Sequence, residues 1–263
     1  MSGVLDDIVR RTRERLAEEQ ADVEQIRRAA NAASLYRRPH AFSAALKRDG
    51  INIIAEIKAA SPSAGSIVEN PNVEQIAGEY KRGGAAAISI VAEPEFFRGS
   101  PEWISRASRA SGLPVIMKDF VVQPSQIFRG VAAGADAILL LASLLNAKEL
   151  SIFIGLLDEL GCDALVEVHD EAELQRAIDA GAKLIGVNNR NLRTFKVDLA
   201  TSESLVRSIP NDAIKVAESG IASHDDVHRL RTAGFNAFLV GESLLRQNDR
   251  AEAVRRLRGE GAR

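Results

Sequence analysis

Short apolar runs recur along residues 52–240, and six of them stop at a charged or amide side chain. INIIAEIK closes on Glu56 and Lys58, LPVIMK on Lys118, DALVE on Glu167, and KLIGVN on Asn188; AIKVAE closes on Glu218 and NAFLVGE on Gly241 and Glu242. Runs of this length bounded by turn residues read as buried strands, and the stretches between them carry helical periodicity. The pattern predicts strands near 52–58, 86–91, 114–118, 136–141, 163–167, 183–187, 214–218 and 236–240. Strands alternating with amphipathic helices make βαβ units and a parallel sheet.

An internal repeat narrows the topology. RGGAAAISI, AAGADAILL, DAGAKLIGV and TAGFNAFLV each pass from a helix end through a glycine into an apolar strand. Their glycines, Gly84, Gly134, Gly181 and Gly234, are 50, 47 and 53 residues apart. Each suits a left-handed helix cap, and one interval spans two βα units, so they precede strands two, four, six and eight. An open doubly wound sheet has no need of this fourfold regularity. The reading is an α/β fold, a (β/α)8 TIM barrel with an N-terminal helical extension, in one domain over 1–263: extension 1–50, barrel 51–263. In that fold the strand ends converge on one mouth, where catalytic groups gather.

Within the extension, Leu5, Ile8, Val9 and Leu16 share one helix face, and AFSAALKR forms a second short helix. Two placements stay open: packing on the barrel wall or bottom, or covering the mouth and adding to the pocket.

Composition removes several classes of function. The length of 263 residues suits one (β/α)8 barrel. With 34 basic against 36 acidic residues, net charge -2, nothing points to nucleic acid. No run approaches a membrane span, and the charged N-terminus lacks a secretory core. Cys162 is the single cysteine, so no internal disulfide is expected. These features lead to an expectation of a cytoplasmic enzyme.

In AEIKAASPSAG, alternation puts Glu56 and Lys58 on one side of a strand, either as a working pair or as an internal salt bridge. Ser61-Pro62-Ser63 then makes a stiff loop over the mouth. Lys118, enclosed by apolar strand ends, is expected to have a lowered pKa and to donate protons, with Asp119 as a partner; the plain alternative is a lysine reaching the rim. Phe97 and Phe120 offer flat walls for an aromatic substrate, or simply fill the core. Glu167 faces the lysines as a base, and Asn188 adds an uncharged carboxamide. Ser219-Gly220 and Gly241-Glu242-Ser243 follow strands seven and eight, where barrels bind phosphate through backbone N–H groups. Glu242 must turn its side chain away for that. His224 and His228 have metal-ligand spacing, but Ser223 with Asp226 reads as a helix cap and no third ligand is near, so no metal is expected.

Taken in order, AEIKAASPSAG, PVIMKDF, GADAILL, LVEVHD, IGVNNRNL, AESGI and LVGESLL resemble the indole-3-glycerol phosphate synthase family, and RPHAFSAAL extends the resemblance across the extension. The resemblance implies that 1-(2-carboxyphenylamino)-1-deoxyribulose 5-phosphate closes a ring, loses CO2 and loses water, with no cofactor. By motif match Lys118 is the principal general acid and Glu167 the general base. Lys58 pairs with the anthranilate carboxylate or donates a proton itself. Glu56, Asn188, Glu218 and Ser219 position hydroxyls and the lysines. Ser61, Gly220 and Gly241 hold phosphate, while Phe97, Phe120, Arg190 and Glu242 complete the substrate site. The partners expected are a small phosphosugar and no nucleic acid or membrane, with the chain a monomer. Ala59 and Ala64 stand where the family often has lysine and Ala92 where it has threonine, which bears on loop motion and affinity. The resemblance leaves two rivals: another phosphosugar barrel enzyme, and a barrel retained only for binding.

Overall fold

Each apolar run becomes a strand in the computed structural model, which describes residues 3–19, 22–191 and 194–260. Leu192, the last residue of IGVNNRNL, and the last three residues of the 51–263 segment lie outside the described residues. The strands are β1 Asn52–Ile57, β2 Ala87–Val91, β3 Val115–Lys118, β4 Ala137–Leu141, β5 Asp163–Val168, β6 Leu184–Asn188, β7 Ile214–Glu218 and β8 Ala237–Val240. All pair in parallel with their sequence neighbours, and β8 closes on β1 through Asn52↔Ala237. A two-residue antiparallel ladder, Ala60–Ser61 with Gly65–Ser66, folds the loop after β1.

Several strands start one residue later than the pattern predicts, because the turn out of the preceding helix still occupies that position. Asp136 and Asn236 show what happens there: their side chains accept from Val115 N (2.8 Å) and Lys215 N (2.8 Å) on the neighbouring strand. The repeat glycines all have positive φ: 84° at Gly84, 105° at Gly134, 87° at Gly181 and 119° at Gly234. Gly134 and Gly234 are themselves the left-handed caps, of α6 Pro124–Ala133 and α10 His224–Ala233.

Strand alternation divides the apolar residues into two cores. Ile53, Ile57, Ile88, Val166 and Val187 face outward and pack under the helices. Ile54, Ile116, Leu165, Val216 and Leu239 face inward and join Phe42 and Leu46. The last two belong to α3 Ala41–Leu46, which therefore plugs the amino-terminal end of the barrel. The extension has three destinations. Of the other two helices, α2 Val23–Ser34 packs on α6 along the wall, whereas α1 Val4–Glu18 brings Val4, Leu5 and Ile8 to the opposite end, over the mouth. Both placements left open by the sequence are realised, by different helices.

Candidate active site

A cavity of about 450 Å³ occupies the carboxyl end of the barrel. Its floor, and Glu218 just beneath it, follow from strand alternation: two residues beyond inward-facing Ile54, Ile116, Leu165 and Val216 come Glu56, Lys118, Glu167 and Glu218. Asn188 pairs in register with Glu218, and Glu56 with Ser89. The barrel thus gathers at one level the residues that end its apolar runs.

At the centre stands Lys118. Its Nζ donates to Glu218 Oε2 at 2.6 Å and Glu167 Oε2 at 3.3 Å. Burial opposes its charge, but Glu218, Glu167 and Glu56 outweigh burial and hold its pKa above the ordinary lysine value. The expected lowering of that pKa is thereby overturned: the sequence showed apolar neighbours along the chain, not the three carboxylates that face the lysine across the barrel. Asp119 is not among its partners; its Oδ1 accepts from Phe120 N (2.8 Å), and burial pushes its pKa up to about 6.

Two carboxylates on one ammonium in a dry site cannot both be comfortably ionised. Glu167 has further help, because Asn188 Nδ2 donates to its Oε1 (2.9 Å) and His169 Nε2 lies 3.3 Å away. Burial would raise its pKa, yet Lys118 and His169 hold it below the usual carboxylate range. Glu218 lacks such help: its Oε1 is buried without a hydrogen-bond partner. Burial, with Glu167 nearby, pushes Glu218 up to about 7 despite Lys118. Glu218 is 1% exposed and lies under the cavity rather than on its lining, in contact with the Lys118 ammonium.

Lys58 Nζ sits 2.8 Å from Glu56 Oε1, as the shared strand face predicts. Burial acts to raise the Glu56 pKa, but Lys58 and Lys118 bring it below the ordinary value. Lys58 also lines the cavity, so the salt bridge and access to a ligand coexist.

Phe97 and Phe120 meet with ring centroids 5.9 Å apart and both face the cavity, where Leu5 and Ile8 of α1 extend their apolar wall. The loop bearing Phe97 is fixed from below. Buried Glu93 accepts from Phe96 N (2.7 Å) and Phe97 N (2.9 Å), and Arg11 of α1 reaches Glu95 at 2.9 Å. Opposite this wall, Ser61 Oγ accepts from Ala64 N (3.1 Å), and Arg190 Nη1 reaches Ser63 Oγ at 3.5 Å across the rim.

The two glycine turns lie on the cavity, joined by Ser243 Oγ donating to Ile221 O at 3.1 Å. Ser219 (φ 65°) and Gly220 (φ 79°) are consecutive left-handed residues, a conformation that aims successive N–H groups at one place. A Cβ on Gly220 would stand 2.4 Å from Val197 Cγ1. Gly241 has φ -121° and ψ -83°, outside the regular helix and strand regions, and a Cβ there would lie 2.5 Å from Glu56 Oε1. Glu242 turns toward Arg246, accepting from its Nε at 3.0 Å. Arg246 also lines the cavity, so an anion there meets arginine as well as backbone.

Sequence reasoning missed His169 and Glu173. The signal was present in LVEVHDEAE: His169 follows Glu167 at the two-residue spacing that keeps both on one face, and Glu173 follows four later. His224 and His228 take no part; Ser223 caps α10, and His224 Nδ1 lies 2.9 Å from Leu257 O. Among the described residues, no three His, Cys, Asp or Glu side chains gather as metal ligands, and no helix is long and apolar enough to cross a membrane.

Comparison with known proteins adds to this geometry. The family described as Indole-3-glycerol phosphate synthase matches residues 5–257. A protein of that name from Lachnoclostridium phytofermentans is 38% identical over 267 residues, covering 97% of this chain and 98% of the relative. Another from Sulfurimonas denitrificans is 42% identical over 258 residues, with coverage of 97% and 98%. Among solved structures, a 3-hexulose-6-phosphate synthase superposes with TM-score 0.62 at 15% identity, over 81% of this chain and 100% of that one; at such identity the likeness is one of fold.

Proposed function

Since the chain belongs to the indole-3-glycerol phosphate synthase family, we propose that Lys118 is the acid and Glu167 the base of its reaction. The enzyme acts in tryptophan biosynthesis, turning 1-(2-carboxyphenylamino)-1-deoxyribulose 5-phosphate into indole-3-glycerol phosphate. The observation that carries the role assignment is the Lys118 ammonium, bracketed by Glu218 and Glu167 on the cavity floor.

The aromatic carbon bearing the carboxylate attacks the ketone carbon, and the ketone oxygen takes up a proton from Lys118. A lysine held charged by carboxylates is reliably protonated when that oxyanion develops. The ring then carries positive charge, which Glu167 stabilises; breaking the bond to the carboxylate releases CO2 and restores aromaticity. Loss of the new hydroxyl needs an acid at the oxygen and a base for the adjacent C–H proton, and Glu167 is the base. Glu218 keeps Lys118 in place beneath. The Phe97–Phe120 wall takes the anthranilate ring, with Lys58 for its carboxylate. The Ser219-Gly220 and Gly241-Glu242 turns, with Ser61, take the phosphate.

Incubating pure protein with the carboxyphenylamino substrate should produce indole absorbance and fluorescence, with inorganic phosphate a weak competitive inhibitor. Absence of the indole signal from folded protein refutes the assignment.

A further inference from the structure

We propose that His169, backed by Glu173, is a positioning residue that fixes which oxygen of Glu167 faces the cavity. The inference rests on Glu167 being the base. Beyond β5 the alternation carries His169 to the same side as Glu167. Glu173, in the first turn of α8 Glu171–Asp179, accepts from His169 N at 2.8 Å, and its Oε2 lies 3.0 Å from His169 Nδ1. Capping a helix start accounts for the first contact and leaves the ring contact unexplained.

The ring's protonation follows from its neighbours. Nδ1 faces Glu173 and must carry a hydrogen. Nε2 lies 3.3 Å from Glu167 Oε1 as an ion pair outside hydrogen-bonding geometry, and a bare nitrogen there would set lone pair against carboxylate. Both contacts are favourable only in the imidazolium form, which is charged and carries a hydrogen on each nitrogen. Beyond Glu167 the facing groups are Lys118 from β3, Glu218 from β7 and neutral Asn188 from β6. Burial acts against the charge, yet Glu167 and Glu173 together push the His169 pKa up to about 10.

Glu167 is therefore gripped on one side. Its Oε1 meets Asn188 and His169, which leaves Oε2 directed toward Lys118 and the cavity. Removing the imidazolium frees the carboxylate to rotate and makes it easier to protonate.

The test combines His169→Gln, Glu173→Gln and Glu167→Gln with nitrogen NMR of labelled histidine, the His169 signal being assigned by its absence in His169→Gln. In wild type the His169 nitrogens should report imidazolium up to about pH 9, well past the ordinary histidine value. His169→Gln should lower kcat about tenfold with KM within about twofold, as expected when orientation is lost but binding is kept. The acid limb of kcat should move upward in pH in both His169→Gln and Glu173→Gln. In a Glu167→Gln background, His169→Gln should have no further effect. A His169 that titrates near the ordinary value, an unshifted acid limb in both variants, or effects that multiply in the double variant each overturn the proposal. Full turnover by Glu167→Gln alone would instead overturn the base assignment, a result distinguishable because the NMR titration needs no catalysis.

Discussion

Inside the barrel, two residues along four of the strands separate apolar packing from charge. Ile54, Ile116, Leu165 and Val216 fill the lower interior with α3 beneath them, while Glu56, Lys118, Glu167 and Glu218 crowd the next level up. The lower layer gains from leaving water. The upper layer is taken out of water at a cost that its ion pairs only partly offset, as the unpartnered Oε1 and raised pKa of Glu218 show. Substitutions should therefore divide by level, with stability falling for the lower and rate falling for the upper.

The largest expected effects lie in the upper layer. Lys118→Ala and Glu167→Gln should each lower kcat by at least about 10²-fold, the contribution expected of a general acid or base, while circular dichroism stays native. Retained turnover in either breaks that assignment. The converse test is Ile116→Ala, two residues below Lys118. Loss of a fully buried aliphatic side chain should cost about 2–5 kcal/mol in denaturant unfolding, with kcat of the folded protein near wild type. A kcat loss as large as that of Lys118→Ala would show that the two layers do not act separately.

The glycine turns sharpen the boundary. Gly220→Ala must place a Cβ against Val197 at positive φ, so KM for the phosphorylated substrate should rise with a smaller change in kcat. Gly241→Val runs into Glu56 and should lower kcat as well as raise KM. A dephosphorylated analogue should bind wild type poorly and be nearly indifferent to Gly220→Ala. If it binds as tightly as the phosphate ester, the turns serve structure alone.

The smallest effect is a trend with pH. The folded-state pKa of His169 is raised from 6.5 to about 10. The stability it contributes is present in full below pH 6.5 and lost as pH rises toward 10. The stability deficit of His169→Ala should accordingly be greatest near pH 6 and shrink by pH 10 in urea unfolding. A deficit that is flat with pH would mean that the ring matters only for packing.

Which parts were legible in the chain depends on how local their causes are. Strand positions and the caps at Gly134 and Gly234 follow from periodicity and backbone freedom, both written within a few residues. Glu56, Lys118, Glu167, Asn188 and Glu218 could be picked out because each ends an apolar run. What Lys118 experiences could not, since Glu167 and Glu218 reach it only through the register of β3, β5 and β7 around a closed ring. The three destinations of the extension were hidden for a related reason: an amphipathic face says that a helix packs, not on what. His169 was within reach of a two-residue alternation carried one step past its strand.

The pairing of β8 with β1, and the plug that α3 makes beneath both, bear on how the molecule comes into being. Phe42 and Leu46 leave the ribosome well before Ala237 and Leu239, with which they share a pocket. No nascent fragment that stops short of β8 can close the ring or cover those side chains. Such long-range closure is slow relative to local helix formation, and the waiting chain shows apolar strand edges to its surroundings. Ring closure is thus a late step, and a chain arrested before β8 is open to association through its unpaired strand edges.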